Sequence, residues 1–148
     1  MNIASGPPRI PSYQTLRDLD PIERASIDLL RNWNDGEFGK ARLWVDICAK
    51  VGPEAGCRIL SGVQGVLANS GPGTLTDGHI APPGTTLVCP HEVALAWIMR
   101  LASAGRVACA CAVAAEWFPG CRSAGLADAA MMLADTLPAL VQATDPGA

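Results

Sequence analysis

Residues 70–88, SGPGTLTDGHIAPPGTTLV, place the strongest constraint on how this 148-residue chain can fold. They hold four glycines and three prolines, a composition that does not sustain a helix. Short extended pieces at Leu75–Thr76 and Thr86–Val88 could pair as a weak hairpin about the Asp77-Gly78 turn or the Pro-Pro-Gly. A loop of this length is uncommon inside a compact domain and is usually functional or mobile. The chain is therefore expected to form helical segments on either side of it.

Helical spacing of apolar residues predicts three helices before the loop and three after it. At the start of the first, Asp20 is a capping residue, Pro21 suits the first helical position and Glu23 completes a capping box. The expected helices cover about residues 20–33, 38–51, 53–67, 90–104, 106–118 and 123–137. The sequence thus predicts an all-α fold of about six helices in two groups of three, split by a Gly/Pro-rich loop with room for a short hairpin.

The same pattern sets the expected limits of the domain. Residues 1–19 hold three prolines and little periodicity, so we expect an extended N-terminal arm. Residues 20–140 are expected to form a single helical domain, and residues 141–148 a frayed tail.

Two helices carry specific expectations about which face is buried. The second is expected to turn an apolar stripe inward, made of Phe38, Ala41, Trp44, Val45, Cys48 and Val51. Arg42, Asp46 and Lys50 would then be exposed as charge pairs on its other side. The fifth helix is apolar nearly all round, which predicts a central position in the bundle.

The third helix carries three glycines in its interior, Gly56, Gly62 and Gly65. Each weakens a helix by about 0.5–1 kcal/mol relative to alanine. That cost indicates that another backbone, such as a facing helix, passes close to this one. On the same helix, Cys57 and Leu60 are expected to point inward.

Composition and charge exclude several classes of protein. The chain is 49% hydrophobic and 17% charged, with a mean hydropathy of +0.23. Some apolar surface is therefore expected to meet a partner, most simply a second copy in a homodimer, or another protein. A net charge of −3 and a pI near 5.2 argue against nucleic-acid binding.

We expect the protein to be cytoplasmic and not to associate with membranes. The longest apolar run, Val107–Ala115, is well short of the roughly 20 residues that a spanning helix needs. The first residues, MNIASGPPRIPSYQ, lack the apolar core of a secretory signal. In a reducing compartment the six cysteines are thiols, and we expect most of them to pack in the core as small apolar residues.

Cys89, Pro90, His91 and Glu92 form the most chemically suggestive stretch. Pro90 at the first helical position places Cys89 at the cap, where free amides and the helix dipole favour a thiolate. His91 could add positive charge or act as a base, whereas Glu92 opposes the thiolate. Alternatively, the stretch is only a packed helix cap. Because a loop that can open lies beside it, Cys89 is expected to be the most reactive of the thiols.

A metal site is the other possibility at this position. His79, Cys89 and His91, with one thiol from the fifth helix, supply ligand atoms that suit tetrahedral zinc. Cys109 and Cys111 are two residues apart on a helix and point in nearly opposite directions, so both cannot bind one ion. The chain has no CxxC and no HxxxH motif, and nothing in it requires a metal or any other cofactor.

The segment APPGTTLVCPHEVAL resembles a motif of a family of small helical bacterial proteins known only as a domain of unknown function. Cys89, Pro90 and Glu92 match the motif, and the resemblance covers about residues 20–137. Members carry several adjacent cysteines at this point, whereas this chain has one. The resemblance implies a helical bacterial protein and supplies no activity.

Two hypotheses about function follow. The first is a cytoplasmic helical protein that acts by partner binding or self-association, with no catalytic chemistry, since GxSxG, HExxH and P-loop motifs are absent from the sequence. The alternative is a small thiol- or metal-dependent enzyme or sensor centred on Cys89 and His91.

Overall fold

The computed structural model describes residues 15–71 and 80–144. Within these ranges the chain forms six α-helices, a 3₁₀ turn at Leu16–Asp18 and no strand, which confirms the predicted all-α fold of about six helices. In chain order the helices are α1 (Pro21–Trp33), α2 (Gly36–Val51), α3 (Pro53–Asn69), α4 (Pro90–Ser103), α5 (Val107–Trp117) and α6 (Ser123–Thr144).

Helix α6 is the centre of the bundle. It packs against each of the other five helices, and its largest contact is with α3. The predicted division into two groups of three is therefore not confirmed, because the last helix of the chain is shared by both halves. The prediction that α5 is central is wrong. Helix α5 packs mainly on α4 and α6 and buries only three small or medium side chains, Ala110, Val113 and Ala114.

The start of α1 follows the capping rule that the sequence indicated. The Asp20 carboxylate accepts the Glu23 backbone N–H at 2.8 Å, and Glu23 Oε1 accepts the Asp20 N–H at 3.2 Å. This reciprocal pair satisfies two of the amide groups that a helix leaves free at its first turn. Between α2 and α3 the chain turns at Gly52, whose φ of +89° is readily accessible only to glycine. Pro53 then begins α3 directly.

The close approach that the glycines of α3 indicated is confirmed. A Cβ atom built on Gly65 would lie 2.9 Å from Ala129 Cβ of α6, and one on Gly62 would lie 3.3 Å from Leu133 Cβ. A Cβ on Gly56 would lie 2.9 Å from Cys48 Sγ of α2. These glycines lower the intrinsic stability of α3. Because they have no side chain, the backbone of α3 packs within contact distance of α2 and α6.

The predicted apolar stripe of α2 is mostly not buried. The helix buries Gly39, Leu43 and Ile47, a single stripe at four-residue spacing, and turns Phe38, Ala41, Trp44 and Val45 outward. Cys48 and Val51 are half-buried, and the charged residues of the helix are exposed as predicted: Arg42, Asp46 and Lys50. Phe38 is 87% exposed and Val45 is 66% exposed. Both sides of α2 are apolar, so its own periodicity does not determine which side faces the core.

The ends of the domain and the central loop are partly described. Residues 1–14 of the expected arm, Leu75–Thr76 of the expected hairpin and residues 145–148 of the expected tail lie outside the described ranges. Thr15 pairs with Leu87 as an isolated antiparallel bridge, and the Leu16 N–H donates to the Thr86 carbonyl at 2.9 Å. The segment before α1 thus contacts the end of the loop. At the other end of the domain, α6 continues as a helix through Thr144, into the expected tail.

Gly65→Ala tests the contact between α3 and α6. Because the facing atom is a Cβ fixed to the α6 backbone, the helices must move apart, at a cost of about 1–3 kcal/mol that exceeds the helix-propensity gain of about 1 kcal/mol. We expect a net loss of up to about 2 kcal/mol in unfolding free energy by urea titration. Ser61→Ala, at an exposed position of the same helix, is the control and should not destabilise the protein. Equal stability of the two variants would contradict the close approach.

Candidate functional site

A buried ion pair lies at the start of α4. Arg31 of α1 donates from Nε to Glu92 Oε2 at 2.6 Å and from Nη2 to Glu92 Oε1 at 2.9 Å, a bidentate arrangement. Both side chains are fully buried, with 0% exposure. Hydrogen bonding to the Glu92 carboxylate is the main cause of the raised pKa of Arg31, so the guanidinium remains charged.

The same two side chains hold the loop that leads into α4. Arg31 Nη1 and Nη2 donate to the carbonyls of Thr85 at 2.5 Å and Leu87 at 2.9 Å. Glu92 accepts the backbone N–H of Cys89 at 2.8 Å and that of Ala81 at 3.2 Å. Four backbone groups of the loop thus find their partners on one ion pair, as burial requires. The Cys-Pro-His-Glu stretch is therefore first a helix cap tied to α1.

Cys89 is held in a setting that does not activate a thiol. Its side chain is half-buried at the start of α4. Burial raises the pKa of the Cys89 thiol, and the Glu92 carboxylate raises it further, while Arg31 lowers it only in part. Burial and the adjacent acid therefore disfavour the Cys89 thiolate, as the sequence indicated for Glu92.

His91 packs against aromatic rings. Its ring makes edge contacts with Trp117, at a centroid distance of 5.5 Å, and with Phe118, at 5.3 Å. Within residues 15–71 and 80–144, no group of three His, Cys, Asp or Glu side chains is placed to hold a metal ion. His79, the third predicted ligand, lies outside the described residues. The structure thus joins Cys89 to Glu92 and His91 to α5, but shows no shared ligand cluster for them.

The cysteines are more accessible than the sequence indicated. None of the six is fully buried, although Cys109, Cys111 and Cys121 pack against the edge of the core. Cys57, which was expected to point inward, is the exposed one. The expectation that Cys89 is the most reactive thiol is therefore not supported, since Cys57 is more open to solvent.

Three of the six large apolar residues that are exposed in the described ranges lie on α2. We call Phe38, Ala41, Trp44 and Val45 the outer face of α2; they are exposed, Trp44 at 38%. Their positions repeat at three- and four-residue spacing, so they form one continuous strip along the helix. A cluster of large apolar side chains on a surface marks an interaction site more often than scattered single residues do.

A groove of about 530 Å³ lies between α1, α2 and the end of α6. Its floor is apolar, with Leu29, Leu43 and Ile47, and its rim alternates in charge. Asp46 and Lys50 on that rim pair with each other at 3.2 Å. The groove is open, and the charged residues on its rim are of both signs. It therefore shows no cluster of polar groups directed at a single ligand.

A second polar cluster joins α1 to α4. Arg100 lies 3.4 Å from Asp20 and 3.6 Å from Glu23, and its guanidinium stands 5.4 Å from the Trp97 ring centroid. Glu23 is 2% exposed, and burial raises the pKa of its carboxyl above the ordinary value of 4.5. Among the described residues, Glu23 Oε2 and Trp97 Nε1 are the buried side-chain atoms without a hydrogen-bond partner.

Helix α6 is the only described helix that is long and apolar enough to cross a membrane by length and composition. Of its most apolar stretch, 44% is buried inside the domain. The core helix of a soluble protein passes the same test, so this feature does not assign a location.

Comparisons with known proteins give no relative. No family model, no curated protein and no solved structure matches the chain. The geometry described above is therefore the basis for any functional assignment.

Glu92→Gln tests the ion pair. The substitution keeps the shape of the side chain but leaves a buried guanidinium without its counter-charge, which typically costs about 3–5 kcal/mol. We expect a loss of this size in the free energy of unfolding, measured by urea titration. The control is Asp46→Asn, which breaks the exposed pair with Lys50 and should cost less than about 1 kcal/mol. Similar losses in the two variants would show that the Arg31–Glu92 pair does not hold α1 on α4.

Glu23→Gln tests the second cluster through pH. A carboxyl whose folded-state pKa is raised binds its proton more tightly in the folded protein, so its contribution to stability is complete below pH 4.5 and is lost as pH rises through the folded-state pKa. We expect the variant to gain stability relative to the unmodified protein as pH increases from about 4.5 to neutrality. Urea titrations across that range measure the difference. Parallel stability profiles would contradict the raised pKa of Glu23.

Proposed function

We propose that the protein acts by self-association, as a homodimer formed through the outer face of α2. The observation that carries this proposal is the exposure of Phe38 at 87% together with Val45 at 66% on one strip. Covering these side chains removes apolar area from water, the dominant favourable term in association. The proposal extends the expectation that a chain with so little charge meets a partner.

The spacing of the strip suits a helix pair. Phe38, Ala41 and Val45 lie at intervals of three and four residues, the a/d spacing of a coiled-coil seam. In an antiparallel pair centred on Ala41, the small alanines allow close approach, and Phe38 of one copy meets Trp44 and Val45 of the other. The same strip serves both copies, as a two-fold interface requires.

Area and charge are compatible with a second copy. An aromatic side chain buries about 150–250 Å² when covered, and a standard interface buries about 800 Å² per partner. With Phe38 87% and Trp44 38% exposed, the two aromatics of the outer face would supply roughly a quarter to two-fifths of that area, and adjacent exposed residues the rest. Helix α2 carries two acids and three bases, so two copies would meet without strong repulsion: Glu37 and Asp46, and Lys40, Arg42 and Lys50.

The proposed protein is a cytoplasmic homodimer with no catalytic chemistry and no cofactor, and it binds neither nucleic acid nor membrane. Its net charge of −3 supports the exclusion of nucleic acid. The alternative, a thiol- or metal-dependent function at Cys89 and His91, gains no support from the raised pKa of the Cys89 thiol or the aromatic packing of His91.

The double variant Phe38→Ser/Val45→Ser tests the proposal by light scattering or sedimentation at about tens of micromolar, a range in which assembly depends on concentration. We expect a dimer for the unmodified protein and a folded monomer for the variant, since both positions are exposed within the single chain. The matched control is Val107→Ser/Met132→Ser, at exposed apolar positions of α5 and α6, and it should remain dimeric. A monomeric unmodified protein, or a dimer lost only in the control, would overturn the assignment.

A further inference from the structure

The α2–α3 junction brings two cysteines onto adjoining turns of neighbouring helices. Only Gly52 separates the helices, and the chain reverses there so that the end of α2 packs on the start of α3. A Cβ on Gly56 would lie 2.9 Å from Cys48 Sγ and 3.7 Å from Cys48 Cα. The Cys48 sulfur therefore contacts the α3 backbone at Gly56, the residue directly before Cys57.

The two thiols differ in access and influence each other. Cys57 is exposed, whereas Cys48 is half-buried. Desolvation raises the pKa of the Cys48 thiol, and the neighbouring Cys57 raises it further, which is the effect expected of two thiols close in space. An oxidant in solution would meet Cys57 first, with Cys48 behind it.

A disulfide requires Cα atoms about 4.4–6.8 Å apart. The observation that points to such a bridge is the contact of Cys48 with the α3 backbone at Gly56, the residue directly before Cys57. To form the bridge, the Cys57 side chain would have to turn toward Cys48. The absence of a side chain at Gly56 leaves room for the bridge between the helices.

We propose that Cys57 and Cys48 form a redox-active dithiol, a modification site that reacts with low-molecular-weight disulfides such as oxidised glutathione. The Cys57 thiolate attacks one sulfur of the oxidant, forms a mixed disulfide and releases one glutathione thiol. Cys48, after losing its proton to solvent, attacks the Cys57 sulfur and displaces the second glutathione. Two protein thiols are thus oxidised to one disulfide, and one glutathione disulfide is reduced to two thiols.

This inference goes beyond the proposed self-association and does not depend on it. It differs also from thiol chemistry at Cys89, which has no partner cysteine within its helix turn. A second pair provides an internal comparison. Cys111 and Cys121 are neighbours whose interaction contributes to the raised pKa of Cys121, yet both are half-buried against the core. They should react more slowly, because access limits thiol–disulfide exchange.

The test uses the full chain, fully reduced and then incubated with oxidised glutathione, with intact mass and peptide mapping over time. We expect the unmodified protein to lose two hydrogen atoms in mass and to yield a peptide linking Cys48 to Cys57. Cys48→Ser should instead retain one glutathionyl group on Cys57, at a level about tenfold higher than in the unmodified protein, because the resolving thiol is absent. Cys57→Ser should block both products at these positions.

The matched control is Cys111→Ser/Cys121→Ser, which should form the Cys48–Cys57 link at the unmodified rate. Circular dichroism checks that each variant remains helical. Three results would overturn the proposal: a stable mixed disulfide on Cys57 in the unmodified protein, earlier linkage of Cys111 to Cys121, or faster labelling of Cys89 than of Cys57.

Discussion

The Arg31–Glu92 ion pair joins the two halves of the chain on either side of the central loop, and much of the arrangement around α4 depends on it. Charges buried without partners cost several kcal/mol each, so any docking of α1 that separates the pair is strongly disfavoured. The carbonyls and amides of the loop use the remaining hydrogen-bonding capacity of the same two side chains. The pair therefore fixes the position of α1, the path of residues 81–89 and the start of α4 together.

Helix α2 shows why an apolar surface and a core can be confused in sequence. Its inner stripe contains Gly39, Leu43 and Ile47, and its outer face contains larger side chains, including Phe38 and Trp44. The smaller stripe faces inward because α2 packs closely on α1 and α3, where little space is left for aromatic rings. The larger side chains are then left for a contact outside the single chain.

Local signals in the sequence predicted the helices, the Asp20–Glu23 capping box and the close approach at the α3 glycines. Each depends on residues a few positions apart or on the conformational cost of one residue. The role of Arg31 could not be predicted in this way, because its partner lies 61 residues away. One signal was present: Glu23, Ile27 and Arg31 share one side of α1 at four-residue spacing, so a charge lies on the buried side. The burial of α2 and the exposure of the cysteines depend on neighbouring helices, which local periodicity does not specify.

The separation of Arg31 from Glu92 also affects how the chain is made. During synthesis at about 5–20 residues per second, Arg31 leaves the ribosome several seconds before Glu92. Until then the guanidinium has no counter-charge and must remain in water, so α1 cannot take its final place on the nascent chain. The first three helices are therefore expected to remain incompletely packed during synthesis. Folding is expected to finish only after α4 and the central α6 have been translated.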